Sequence, residues 1–526
     1  MALVGTKQSD DAGCIESYDP ATLEKIGQVS AWSEADVDRA ADRGRAAQEV
    51  WAATPIKERA RCLLKARDYL VDNTDRISEL ISRENGKPRV ESLINDVFTV
   101  IYGIDYYAKY AAKFLADEPV GIRWWRLVRR KSYLNRLPRG LVAIISPWNY
   151  PFSIPAGEVA MALMAGTAVL LKPARATCLT GEALGEVFNA AGLPDGLLQV
   201  VHGSGAAVLK QKLDFIAFTG SVDVGKKVMA RAAATLTPVM LELGGKDPMI
   251  VCHDANLEVA AAAAVWGAFS NGGQACASVE RVYVHEAVAA AFIAKVVDKT
   301  RKLRQGHGVR LDVDVGAMCT EEQLGIVKAQ MERARAQGAK FLTGGSTNPE
   351  AGPGYFYKPT VLTNVGQDWE CVQQETFGPT MPILTFKDEA DVIRRANDNL
   401  YGLTAAVFTK NIRRGEALAR KLIAGTVYVN DAIATHGFAE TPWGGFKDTG
   451  IGRTHGKYGL LDFTGIRHVH INRLSGMKNP WFFGYSEAGY RAFKNTGLML
   501  RSGLGHKLRG AAGAVAALRA TYKGHI

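Results

Sequence analysis

Residues 140–151 read GLVAIISPWNYP. Five apolar side chains follow a glycine and stop at Ser-Pro, a short run closed by turn chemistry. The same pattern returns as TAVLLKP (167–173), LLQVVHG (197–203) and FIAFTGS (215–221), with helix-like stretches such as CLTGEALGEVFNAAGLP (178–194) between. Strands without polar alternation, spaced by helices, predict a parallel sheet buried on both faces, and so a doubly wound α/β fold. Ligands of such sheets collect at the carboxyl ends of the strands. Three of those ends carry unusual residues: Asn149, Lys172, and Gly220 with Ser221.

Upstream, residues from Ser33 to Leu70 have helical apolar spacing, and a further helix is expected through Ile81 and Leu93. Downstream, PVMLELGGKDPMIV (238–251) predicts two strands about a glycine turn, followed by a helix in ANLEVAAAAAVWGAFSNGG. A second alternating series then runs to about residue 430: RVYV, DVDVGAM, KFLTGG, FYKPTVL, PILTF, TAAVFT and GTVYVN. Two series imply two α/β domains.

The length of 526 residues suits two or three domains, and 47% hydrophobic with 22% charged residues is the balance of an ordinary soluble protein. Seven scattered cysteines without a C-x-x-C pair argue against a disulfide framework or a zinc site and for a reducing compartment. The first residues do not read as a secretory signal, and the longest nearly apolar run, Val259 to Phe269, is too short to span a bilayer. The expected location is the cytoplasm. The net charge of +11 is concentrated: residues 121–139 and 476–526 each carry +7, leaving the remainder slightly acidic. No helix-turn-helix, zinc or RNA-binding signature accompanies these patches, so nucleic acid is not an expected partner.

Residues 271–280, NGGQACASVE, set Cys276 among small neighbours, where a structural cysteine would have bulky ones. Taken with PWNYP (147–151), LKP (171–173), FTGS (218–221), LELGGK (241–246), ETFGP (375–379) and PWGGFKDTGIGR (442–453), the GQAC motif resembles, in order and spacing, the motif set of the aldehyde dehydrogenase superfamily. The resemblance covers about residues 15–472.

It implies a chemistry that suits those residue types. A thiolate adds to the carbonyl, and the adduct loses hydride to leave a hydrolysable thioester. Cys276 matches the nucleophile, the Asn149 amide with the Cys276 N–H the oxyanion donors, and Glu242, 34 residues earlier, the general base. Relatives that pass the acyl group to coenzyme A lack that glutamate, so water is the expected acceptor. A retired homologue serving as a scaffold would be expected to lose one of these three residues. For the nicotinamide cofactor the resemblance implies Lys172, Ser146, Trp148, Gly220, Ser221, Gly225, Glu375 and Phe377. The segment FTGSVDVG lacks the usual G-x-G-x-x-G pattern, and phosphate is expected at the helix start after Gly220. Arg175 stands where many NAD-using relatives have a glutamate, which favours NADP over NAD through charge-assisted contacts with a 2′-phosphate.

By the same resemblance the substrate tunnel takes Tyr150, Ile154, Trp266, Ser270, Ala275, Ala277, Thr435, Phe438 and Trp443. These are mostly apolar, and no arginine is among them to clamp a carboxylate, so a fatty or aromatic aldehyde is expected rather than a semialdehyde acid. The expected domains are a dinucleotide-binding domain (1–115 and 139–244), a catalytic domain (245–455), an oligomerisation arm (116–138 and 456–475) serving a homodimer or homotetramer, and a basic amphipathic extension (476–526). The two basic stretches, 121–139 and 476–526, carry Trp124, Trp125, Trp481, Phe482 and Phe483, a composition suited to an anionic membrane surface. No metal site is expected.

Overall fold

The computed structural model describes residues 13–121, 130–473 and 482–523. Its contacts divide into two units, residues 1–116 with 136–466 and residues 117–135 with 467–526. Trp124, Trp125 and Trp481 lie outside the described residues.

The first unit carries two sheets. In the six-stranded sheet the order is Gly450–Ile451, Val239–Glu242, Phe215–Thr219, Leu141–Ile145, Ala168–Lys172, Leu198–Val200. The last five strands run parallel, and chain order reverses beside Leu141–Ile145, which makes that strand's carboxyl end the switch point. The strand Leu141–Ile145 is buried throughout, as a strand covered by helices on both faces must be. One covering helix, Ser153–Ala165, is itself almost wholly buried, which explains why its apolar residues surround the axis instead of forming a stripe.

The second sheet has seven strands in the order Lys340–Phe341, Thr360–Thr363, Thr380–Phe386, Val279–His285, Asp247–Val251, Thr404–Phe408, Thr426–Val429. All pairs are parallel except the first. Alternate residues of the interior strand Asp247–Val251 feed separate cores, Met249 and Val251 on one face and Ile250 on the other.

Ser33 opens the first helix, Glu34–Ala53, through a capping box with Asp36. Three expectations change. The helix through Ile81 ends at Asn85, because Gly86 turns left-handed (φ 93°) and Pro88 follows, and Leu93 falls in a π-helical segment, Ser92–Phe98. An antiparallel pair, Cys14–Tyr18 with Lys25–Ser30, precedes everything the patterning indicated. DVDVGAM forms no strand. Val313 and Val315 are buried, but Asp314 accepts from the Arg304 backbone and guanidinium at 2.9 Å and Asp312 pairs with Arg310, so the polar positions are satisfied within a loop. Val315 keeps an isolated bridge to Gln305.

The second unit contains most of the three-stranded sheet Thr464–Asn472, Arg130–Pro138, Glu118–Pro119, whose residues 136–138 and 464–466 count with the first unit, and a pair of helices, Glu487–Leu498 and Leu504–Lys523. The helices approach closely at Gly510 and Gly513, where a Cβ would lie 2.7 and 2.5 Å from Asn495. Residues 456–466, grouped in sequence with the arm, fall in the first unit, where helix Gly456–Asp462 packs on Ser153–Ala165.

Candidate active site

Strand register assembles the first half of the site. Ile145 pairs with both Lys172 and Phe218, and Thr219 pairs with Glu242, so Ser146, Lys172, Gly220 and Leu243 emerge from neighbouring strand ends. The Lys172 ammonium donates to the Pro173 carbonyl at 3.2 Å; burial, reinforced by the Arg175 cation, holds its pKa below the usual lysine range. The Ser146 hydroxyl is buried with no hydrogen-bond partner. Ser221 is the N-cap residue of helix Val222–Ala233, yet its side chain makes no capping bond. Adjacent cations, an unpaired hydroxyl and an uncapped helix start form a donor set with Asp223 as the acidic neighbour in the first turn. That set fits an anionic, hydroxyl-rich ligand such as a dinucleotide.

Glu375 approaches the same region from the second sheet. It accepts from the Gly245 N–H at 3.0 Å, and burial, with the neighbouring Glu280, pushes its carboxyl up to about 8. Buried Glu280 anchors the loop by accepting from the Thr376 and Phe377 N–H groups (2.7 and 3.0 Å) and from Lys246 (2.5 Å). Phe377 is held at φ 52° with its ring 5.4 Å from that of Trp148, edge to face.

The thiol loop is laced to the Asn149 turn. After helix Leu257–Phe269 the chain turns left-handed at Asn271 and Gly272, and Glu91 accepts from the Ser270 hydroxyl (2.8 Å) and the Asn271 N–H (2.7 Å). The Asn271 amide donates to the Asn149 carbonyl at 2.9 Å, and the Asn149 amide donates to the Gln274 carbonyl at 3.1 Å. Lys87, itself buried, donates to the Asn149 carbonyl and to Asp96, both at 2.7 Å. Asp96 in turn accepts from the Phe152 and Ser153 N–H groups at the start of the buried helix. A Cβ on Gly245 would sit 2.1 Å from the Cys276 carbonyl, so only glycine permits that approach.

Cys276 packs beside Ala277, Leu403 and Trp443. Burial, then the carboxylates of Asp247, Glu375 and Glu242, push its thiol far above the usual range, so the resting group is protonated. Glu242 lines the same narrow cleft as the thiol, and neither of its buried carboxyl oxygens has a hydrogen-bond partner among the described residues. Burial, then the neighbouring Glu158, raise it well above the usual carboxyl range. An acid–base group thus faces a thiol across open space.

Of the expected substrate residues, Ile154 and Trp443 line this cleft; Tyr150 joins through His436, whose ring lies 6.2 Å from it and 4.8 Å from Trp443. Trp266 and Phe438 are about half exposed, Ser270 is tied to Glu91, Thr435 to the Tyr428 hydroxyl at 2.8 Å, and Ala275 and Ala277 are buried; none of these lines the cleft. Sequence reading missed Glu158, Thr219, His436, Thr454 and His455 on the cleft wall. Glu158 had a signal, a lone ionisable residue in an apolar helix; the histidines, in irregular segments, had none.

A doubly wound sheet with a nucleotide-type donor set at its switch point, beside a thiol and a carboxyl, defines a cofactor-dependent oxidoreductase. The chain belongs to the aldehyde dehydrogenase family, whose model matches residues 6–469, and it oxidises an aldehyde to the acid with NAD or NADP. It is 38% identical over 483 residues to the 4,4'-diapolycopene aldehyde oxidase of a Methylomonas species, covering 91% of this chain and 90% of that one. It is also 38% identical to a Mycolicibacterium smegmatis protein named provisionally as a succinate-semialdehyde dehydrogenase [NADP(+)], covering 87% and 89%. An NAD+ complex of the Bacillus cereus aldehyde dehydrogenase shares the fold with TM-score 0.84 at 34% identity, covering 88% and 93%.

Proposed function

We propose that Cys276 is the nucleophile, Glu242 the base, and the Asn149 amide with the Cys276 N–H the oxyanion donors. The observation that carries this reading is that the thiol and the carboxyl line one cleft. A partly buried, protonated thiol needs a proton acceptor before it can attack; Glu242 supplies one in its ionised form and passes that proton to solvent, regaining its charge before deacylation. One hydrogen of the Asn149 amide is committed to the Gln274 carbonyl, leaving the second for an oxyanion. Lys172, Arg175, Ser146, Ser221 and Glu375 would hold the dinucleotide, with Gly220 and Gly225 at the helix start, and Trp148 and Phe377 would flank its nicotinamide. When bound, NAD(P) supplies the hydride acceptor. Glu242 then takes a proton from water, the hydroxide adds to the acyl carbon, the C–S bond breaks, and the thiolate leaves.

For the substrate, Ile154, Leu243 and Trp443 on the cleft wall support a hydrophobic aldehyde, and the relative named for a diapolycopene aldehyde supports that choice over a semialdehyde acid. Arg175 beside Lys172 favours NADP. The exposed strand Thr464–Asn472, at the edge of its three-stranded sheet, supports pairing in a homodimer or homotetramer. The setting we assign is the cytoplasm, with the extension resting on an anionic membrane. Glu242→Gln tests the chemistry: an acyl group should accumulate on Cys276, read as added mass on the intact protein, with steady-state turnover falling by about 100-fold or more. Unchanged turnover removes Glu242 from the reaction.

A further inference from the structure

The reaction above leaves one carboxyl of the cleft unused. Glu158 is the sole ionisable residue of helix Ser153–Ala165, is 2% exposed, and its Oε2 has no hydrogen-bond partner among the described residues. Among the described residues no cation forms an ion pair with it within 4.0 Å. It lines the same cleft as Glu242 and Cys276, with Ile154, Leu243, Trp443, Thr219, Thr454 and two histidines completing the wall. Two carboxyls sharing such a space cannot both ionise as they would in water; loss of the first proton opposes loss of the second.

We propose that Glu158 and Glu242 titrate as a coupled pair, in which Glu158 is a positioning residue that sets the pH at which Glu242 becomes ionised and able to take a proton from water. This rests on the reading of Glu242 as the base. The groups around the pair are accounted for. Arg453 favours the Glu242 carboxylate and Asp462 opposes it. His436 and His455 are pushed down by burial to about 4 and about 3, so they are neutral at neutral pH. The Thr219 hydroxyl favours the Glu158 carboxylate, against the burial that pushes it up to about 8. Cys276 lines the cleft with both, and Asp247 and Glu375 act on its thiol.

The sign follows from the like charge. An ionised Glu158 makes Glu242 harder to ionise, so removing it eases that ionisation. The test is the pH profile of kcat/KM and of single-turnover deacylation in the native protein, Glu158→Gln and Glu158→Asp. In Glu158→Gln the acid limb should move down by about one pH unit, whatever the height of the plateau, while Glu158→Asp keeps it nearer the native position. A role confined to packing would change the height and leave the limb in place. That outcome overturns the pairing. Should Glu158→Gln not fold, an infrared titration of native protein against Glu242→Gln reads the reciprocal effect: a buried carboxyl band that titrates lower without Glu242 supports the pair, and one that does not move refutes it. Acyl trapping in Glu242→Gln with an unmoved limb overturns the pairing alone; free turnover in Glu242→Gln overturns the base and the pairing together.

Discussion

Cys276 rests as a thiol because burial and three carboxylates disfavour its charge. On the proposed reading the sulfur forms the covalent adduct and has no substitute. Cys276→Ala should therefore abolish turnover while NAD(P) affinity, measured by fluorescence titration, stays within a few-fold. The dinucleotide's proposed contacts, Lys172, Ser221 and Glu375, do not involve the sulfur. Appreciable turnover by the purified variant would remove Cys276 from the chemistry. Arg175 decides a different question. Partly buried and close enough to Lys172 to depress its pKa, it adds positive charge where a 2′-phosphate would lie. Native protein should use NADP at least as well as NAD, and Arg175→Glu should reverse the preference, since a carboxylate repels the phosphate and accepts from a ribose hydroxyl. A native kcat/KM strongly favouring NAD would leave Arg175 no part in the choice.

At the scale of elements, the site depends on a frame that is more polar than its surroundings suggest. Lys87 and Asp96 are both fully buried and join three segments: the Asn149 turn, the π-helical stretch and the start of helix Ser153–Ala165. Removing one partner strands the other charge, so Lys87→Met should destabilise the protein by about 3–5 kcal/mol in denaturant unfolding, and the activity that remains should show a weakened oxyanion contact. A loss under about 1 kcal/mol would mean that Asp96 takes up a proton instead. This frame was not legible in the sequence, because Lys87, Glu91 and Asp96 resemble ordinary helix-surface charges until the fold turns them inward. The strands of the first sheet were legible, since burial on both faces leaves no polar alternation to confuse them, and their ends pointed to Asn149, Lys172 and Ser221. DVDVGAM shows the opposite failure. Its period-two pattern is that of a strand, but Arg304 and Arg310 satisfy its aspartates locally and the ladder never forms. Cys276 and Glu242 were marked by motif; the cleft they share took the parallel pairing of Phe215–Thr219 with Val239–Glu242 to bring about.

For the whole molecule, charge and apolar surface converge on the second unit, which contains both basic stretches except for the last residues of the first. In its helix pair and the segments before and between them, Phe483, Tyr485, Tyr490, Leu500, Leu504 and Leu508 are each more than 60% exposed, and Arg491, Lys494, Arg501, Lys507 and Arg509 are exposed as well. Glu487, the only acid of residues 476–526, is paired with Arg491 at 2.5 Å. None of the described helices is long and apolar enough to cross a membrane. Each basic residue near an anionic surface contributes about 1 kcal/mol, and interfacial aromatics add apolar burial. The full chain should co-sediment with vesicles rich in phosphatidylserine at low salt, lose much of that binding as salt screens the charges, and ignore neutral phosphatidylcholine vesicles. A chain truncated after Arg473 should bind several-fold more weakly. If the two bind anionic vesicles equally and negligibly, the aromatics are covered by a partner subunit, the basic residues are merely solvated, and the case for a lipid-borne aldehyde rests on the cleft wall alone.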